Sequence, residues 1–320
     1  TQIEKFNRQA TLNEVAFLFA FGNEFISDPI NQMVRGHVNI GFIFYENTHF
    51  DAAARERAAF LERIMVGSSW NRDYLRTIGF NNVALVSQGV DIGRFAPGPR
   101  SDIADSRFRV FSGGKLEFRK GQDIVVAAFK RFHERHPDSV LVTAWFNPWP
   151  DMASDMDRSP HLAVAPEVVE GEGVRTTAWA LANGIPEDAF IDLGLIPNAA
   201  MPDILRGVDV AIFANRCEGG TNLVAMEAMA CGVPCIMSAN SGHLDIIGNG
   251  NCYPLLEQSQ VLDENGPADV WRESSVDEIV ECMEKAYTDR DDAARRGAAG
   301  AEFMKNLSWK KQISKIIGAI

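Results

Sequence analysis

Short, continuously apolar runs alternate along the chain with stretches whose apolar residues recur every three or four positions. The runs predict strands at 15–21 (VAFLFAF), 38–44 (VNIGFIF), 63–67 (RIMVG) and 83–87 (NVALV), and again at 107–112, 139–145, 189–193, 208–213 and 233–237. The periodic stretches predict helices over 52–61, 70–78, 121–136, 175–183, 200–206, 222–230 and 276–296. Because the strand runs do not alternate with polar residues, each sheet is expected to be covered on both faces by helices. That is the pattern of parallel α/β sheets.

A break falls at 94–107 (RFAPGPRSDIADSR), where Pro, Gly and short polar residues gather just before a new strand. With 320 residues in all, the chain reads as two domains. A second Pro- and Asp-rich stretch, 146–174, reads as a long excursion inside the second. The tail NLSWKKQISKIIGAI predicts a basic amphipathic helix starting near Ser308, with that serine as its cap.

Hydrophobic residues make up 46% and charged residues 23%, so a core in each half is affordable. The net charge of -12 argues against nucleic acid as a partner, since such binding neutralises phosphates with Lys and Arg. A phosphorylated small ligand held by a few local cations stays open. The five cysteines, Cys217, Cys231, Cys235, Cys252 and Cys282, lack metal-site spacing and read as buried reduced thiols, which suits a cytoplasmic protein. No apolar run approaches the ~20 residues of a membrane span. The chain opens on Thr1, so that start reads as a processed, truncated or otherwise cut end.

In a parallel sheet, ligands gather outside the carboxyl ends of the strands. The turn 111–129 (FSGGKLEFRKGQDIVVAAF) ends a strand at Ser112, continues through Gly113 and Gly114, and opens a helix near Gln122. Lys115 and Lys120 flank it, with Arg119 beside them. Close backbone approach, helix amides and positive charge make an anion site, although a solvated basic loop fits the same residues. The turn 214–222 (ANRCEGGTN) leads into a helix that stops at Gly232-Val233-Pro234. Gly219, Gly220 and Thr221 would let phosphate oxygens meet the N–H groups at that helix start. Glu227, one turn further, is placed to accept hydrogen bonds from sugar hydroxyls. The plainer readings are an exposed helix acid for Glu227 and a favourable charge at the positive helix end for Glu218. Two lysines in one turn and two acids in another suit a nucleoside diphosphate carrying a sugar.

At these residues the chain resembles a family. GGKLEFRKGQD, FIDLGLIPNAAMPDILRGVDVAIF, CEGGTNLVAMEAMACGVPCI and the closing LSWKK resemble retaining glycosyltransferases of family 4, glycosyl transferases group 1, with the GT-B fold. Upstream, VNIGFIFYENTHF and RIMVGSSWNRDYLRTIGFNNVALVSQGVDIGRFAP resemble the last strands of that family's N-terminal domain. The resemblance implies two Rossmann-like domains whose parallel sheets face each other across a cleft. It divides the chain into an acceptor-side domain at 1–98, a donor domain at 99–305 and a helix at 306–320 that crosses back. It also implies that the N-terminal domain is incomplete, because the first strand and its glycine-rich loop have no counterpart before Thr1.

The resemblance implies transfer of a sugar from a UDP- or GDP-sugar, with retention, to an unknown carbohydrate, lipid or small-molecule acceptor. No metal and no other cofactor is required. Lys120 matches the lysine on the donor diphosphate, and Lys115 takes the place of its basic partner. Glu227 matches the second acid of a Glu-x7-Glu motif, which holds ribose. Gly220, Thr221, Asn222 and Leu223 match the loop whose amides meet phosphate, and Ile196 borders the base. Eight residues, not seven, separate Glu218 from Glu227, so counting back from Glu227 reaches Gly219 and the donor-sugar contact of Glu218 is open. Acceptor-side candidates are Glu24, Glu46, His49 and Ser68, with Glu46 standing where the family often has a histidine. Two other readings remain: a sugar-nucleotide epimerase or hydrolase on the same fold, and a non-catalytic nucleotide-sugar-binding module. Lys310, Lys311 and Lys315 in the tail offer a peripheral membrane contact, second to packing across both domains.

Overall fold

The computed structural model describes residues 10–102, 106–261 and 270–318, so the opening at Thr1 lies outside it. Two parallel sheets organise the chain. The first contains β1 (Ala10–Phe21), β2 (Val34–Ile43), β3 (Arg63–Val66) and β4 (Val83–Leu85), in that order across the sheet. Its β1 begins before the predicted run, and a register shift against β2 between Leu12 and Ala16 falls where the apolar run starts. The second sheet starts with β5 (Phe108–Gly114) and β6 (Ser139–Trp145). The Pro- and Asp-rich excursion follows as a 3-10 helix, Pro150–Arg158, and a small antiparallel pair, β7 (Val168–Val169) and β8 (Gly173–Val174). Then come β9 (Phe190–Asp192), β10 (Val210–Phe213), β11 (Cys235–Ser238) and β12 (Tyr253–Leu255). An antiparallel pair, β13 (Gln258–Gln260) and β14 (Arg272–Ser274), lies beside it.

Every residue of β6 is buried, as is expected of a strand covered on both faces. Neighbouring residues face opposite ways, so Val110 packs with Ile124, Phe129 and Phe132, while Phe111 packs with Met226 and Met229. The predicted helix 276–296 is two helices, Val276–Thr288 and Arg290–Met304. Asp289 breaks it: its side chain accepts from the Asp292 amide at 2.8 Å and caps the second helix. The five cysteines are buried and unpaired. Among the described residues no helix is long and apolar enough to cross a membrane.

The tail folds as the helix Trp309–Gly318, preceded by Ser308, whose hydroxyl takes the Lys311 amide at 3.4 Å. It returns to the first sheet, where Ile316 packs against Ile40, Met65 and Val86. Val90 donates to the Leu307 carbonyl at 2.9 Å and accepts from the Trp309 amide at 3.2 Å, so the tail runs beside the segment that leaves the first sheet.

Across the second sheet the order is β12-β11-β10-β5-β6-β9. From β5 the chain first builds outward through β6 and β9, then returns to lay β10, β11 and β12 on the other side. The direction reverses between β5 and β10, and that is where such sheets open a ligand crevice.

Candidate functional site

The loops after β5 and β10 meet at that reversal. The first leaves Gly113 and Gly114, passes a 3-10 turn at Phe118–Lys120 and enters the helix Gln122–His133 through Gly121. Gly121 sits at φ 71°, and a Cβ there would stand 2.0 Å from the Ala214 carbonyl oxygen. Only glycine combines that backbone with so close an approach, and it sets the two loops against each other. The second loop ends at Asn222, whose side chain caps the helix Leu223–Ala230 through the Ala225 amide at 3.4 Å.

The two loops share one carboxylate. Glu218 Oε1 accepts from Lys120 Nζ, from Arg119 Nη1 at 3.2 Å and from Asn215 Nδ2 at 2.7 Å. Arg119 also reaches Glu117 at 2.7 Å and Glu46 at 3.4 Å. Burial alone would push Glu218 upward, but Lys120 and then Arg119 outweigh it and hold the carboxyl at about 2. Glu218 is therefore ionised throughout the neutral range.

Lys115, Lys120, Ile196, Glu218, Asn222 and Leu223 line one cavity of about 500 Å³, together with Gly114 and, from the end of the first sheet, Gln88. Lys115 Nζ lies 3.6 Å from Glu117 and 5.4 Å from the centre of the Trp149 ring. The cavity floor is the start of an apolar helix, whose first-turn amides find no partner within the helix. Cationic side chains on one wall and helix amides on another make a pocket suited to an anion with an apolar extension.

The first sheet presses directly on this loop. Gly219 N donates to Glu46 Oε1 at 3.3 Å, and Thr221 N donates to Gln88 Oε1 at 3.3 Å. Ser68 caps its own helix and donates its hydroxyl to the Gly219 carbonyl at 2.8 Å. Nearby, Trp271 Nε1 donates to the Glu46 carbonyl at 2.9 Å, and the Ser69 amide donates to Asp245 at 2.6 Å.

Gly113, Gly219, Gly220, Thr221, Glu46 and Ser68 stand behind the cavity lining, and Glu24, His49 and Glu227 are also outside it. Glu24 pairs with Arg57 at 3.8 Å and accepts from Asn47 Nδ2 at 3.2 Å. His49 is exposed. Glu227 is half-buried and accepts from Asn198 Nδ2 at 2.9 Å, while Asn198 Oδ1 takes Arg94 at 3.0 Å. Burial raises its carboxyl, with Asn198 and Arg94 opposing.

Sequence reasoning missed Arg216 and His243. Arg216 is fully buried and forks onto Asp123 at 2.8 and 2.6 Å, reaches Glu273 at 2.8 and 2.6 Å, and stacks on the Phe118 ring at 3.7 Å. A charge immediately after a buried strand was the available signal, but its partner Asp123 lies 93 residues away. His243 carried none, standing in an ordinary loop.

Burial pushes His243 down to about 4, against the attraction of Glu218. The unfolded imidazole takes up a proton near 6.5, which the folded one refuses. Its contribution to stability is thus complete above about pH 6.5 and is lost as pH falls toward 4, at up to about 1.4 kcal/mol per unit. Urea midpoints of the wild type should fall between pH 7 and 5 more steeply than those of His243→Gln. Equal slopes would assign the acid sensitivity elsewhere.

Comparison with known proteins gives the following. The profile of the family described as Glycosyl transferases group 1 matches residues 99–303. A GDP-mannose-dependent alpha-(1-6)-phosphatidylinositol monomannoside mannosyltransferase of Mycolicibacterium smegmatis is 27% identical over 241 residues, covering 71% of this chain and 53% of that protein. The chain spans about half the length of the curated relatives it matches. A sucrose-phosphate synthase of Thermosynechococcus elongatus superposes with a TM-score of 0.65 at 18% identity, over 93% of this chain and 71% of that one. Anabaena HepE, solved in complex with UDP-glucose, gives 0.64 at 14% identity, over 88% and 72%. These likenesses agree on the GT-B fold, two parallel α/β sheets facing one another.

Proposed function

The chain belongs to the glycosyl transferases group 1 family, and from that membership we propose that it moves a sugar from a nucleoside diphosphate sugar to an acceptor hydroxyl, with retention of anomeric configuration. The observation that carries the proposal is the convergence of Lys120, Lys115 and the first turn of the helix Leu223–Ala230 on one cavity at the strand reversal.

In this reading the donor diphosphate lies between Lys120 and the Gly219–Leu223 backbone, and Ile196 borders the base. The amides of Gly219 and Thr221 already hold side-chain oxygens of Glu46 and Gln88. Phosphate oxygens that reach those amides take the places of these two side chains, so donor entry loosens two contacts between the sheets. As the glycosidic bond breaks, charge grows on the departing diphosphate, and fixed amides and lysines stabilise it without reorganising. The leaving phosphate oxygen takes the acceptor proton on the same face of the sugar. Glu218, ionised and shared by Lys120 and Arg119, holds Lys120 at the cavity wall.

The test is a thermal-shift screen of UDP- and GDP-sugars, followed by product analysis with and without acceptor. A bound donor should raise the melting temperature, and the sugar should appear on the acceptor with the donor's anomeric configuration. Free sugar formed without regard to acceptor would mean hydrolysis instead. Glu227→Gln should weaken binding of the whole nucleotide by about tenfold while leaving pyrophosphate unaffected, as a ribose contact requires. Equal losses for both ligands would remove Glu227 from the ribose.

A further inference from the structure

Beneath the loop that carries Gly219 to Leu223 lies a second segment, the 3-10 turn Ser241–Asp245 that follows β11. Ser241, at φ 41°, sets its hydroxyl oxygen 2.8 Å from the Glu218 amide. The Gly242 amide donates to the Glu218 carbonyl at 2.9 Å, and a Cβ on Gly242 would stand 1.6 Å from the Gly220 carbonyl oxygen. No side chain fits there, so the two segments touch backbone to backbone.

His243 completes the support. It is wholly buried, with Nδ1 3.2 Å from the Ser238 carbonyl and Nε2 3.1 Å from Asn222 Nδ2. A carbonyl can only accept, so Nδ1 carries the proton and Nε2 accepts from the Asn222 amide. Asn222 is the residue that needs holding. Its backbone sits at φ 61° and ψ 93°, an uncommon place for a residue with a side chain. Its Oδ1 caps the helix through Ala225, and its Nδ2 is left to His243. Asn222 lines the cavity, whereas His243 does not.

We infer that His243, acting through Asn222, is a positioning residue that fixes the Gly219–Leu223 amides in the orientation that accepts phosphate. The inference rests on the donor site proposed above. An imidazole in this tautomer holds the Nδ2 end of the Asn222 amide while the Ala225 amide holds the Oδ1 end, and a flipped amide would set its oxygen against Nε2 and its NH2 against the Ala225 amide. The side chain then has one orientation, and so does the strained backbone that it anchors. What matters at position 243 is an acceptor facing Asn222, not bulk.

The experiment is calorimetric titration with UDP and GDP of the wild type, His243→Met, His243→Gln, Asn222→Gly and the His243→Met/Asn222→Gly double variant, with a thermal melt of each. Met fills the space without a comparable acceptor, Gln restores one, and Gly accepts the positive φ without the amide. His243→Met should weaken the better-bound nucleotide by about tenfold, the size of one lost hydrogen bond in a buried site. His243→Gln should recover most of that loss, and the double variant should bind no worse than the weaker single variant. Equal losses in His243→Met and His243→Gln, or losses that add in the double variant, would assign His243 a packing role and overturn the inference. Should His243→Met fail to fold, Asn222→Gly examines the same bond from the cavity side, and wild-type affinity there also overturns it. A wild type that binds neither nucleotide overturns the donor site first, and this inference with it.

Discussion

Arg216→Met is expected to destabilise the protein by about 3–5 kcal/mol, the usual penalty for removing one partner of a buried ion cluster. Asp123 and Glu273 would lose the guanidinium that neutralises them, and Asp123 is itself fully buried. Burial pushes the Glu273 carboxyl up, but the His161 hydrogen bond and then the Arg216 charge outweigh it and hold it at about 2. The measurement is the urea midpoint near neutral pH. Arg216→Lys should recover little, because an ammonium cannot fork onto Asp123 and stack flat on Phe118 as well. A shift under about 1 kcal/mol for Arg216→Met would mean that water or a rearranged side chain compensates both acids, contrary to a dry cluster.

Lys120→Ala is expected to lower affinity for the nucleoside diphosphate by roughly 2–4 kcal/mol, since the ammonium would face phosphate charge in a partly desolvated site. Stability should fall less than in Arg216→Met, because Glu218 keeps Arg119 and Asn215. Calorimetry reads the first effect and thermal melting the second. Unchanged affinity would remove Lys120 from the diphosphate. A collapse in stability without loss of affinity would make the lysine a partner of Glu218 alone.

These two residues show what could be read beforehand and what could not. The strands of the second sheet were legible because coverage on both faces keeps them apolar from end to end. Short, polar β14 (RES) offered no such run, and its pairing with β13 depends on neighbours far away in the chain. The break at Asp289 was hidden because the helical period runs on across it, even though Met283 packs with Val110 and Met304 with Met226, in two separate cores. At the site, Lys120 and Glu218 stood out as types in the right turns. Their mutual ion pair did not, since sequence spacing carries no distance between two loops. The first spacing puzzle, eight residues between Glu218 and Glu227, acquires a physical setting: Glu218 turns inward to Lys120 and Arg119, while Glu227 faces Asn198. Glu46 and Gln88 reach the Gly219 and Thr221 amides only because the two sheets meet there, which no local pattern encodes.

The pairing of Val90 with the Leu307–Trp309 backbone joins the only two described segments that pass between the sheets. Two crossings fastened side by side behave as a door hinge rather than a tether. Torsion of one sheet against the other would shear both hydrogen bonds, whereas a swing about the line through Val90 and Ser308 leaves them intact. Such a swing would part Glu46 from the Gly219 amide and Gln88 from the Thr221 amide, and the fastened crossings would return each to the same partner.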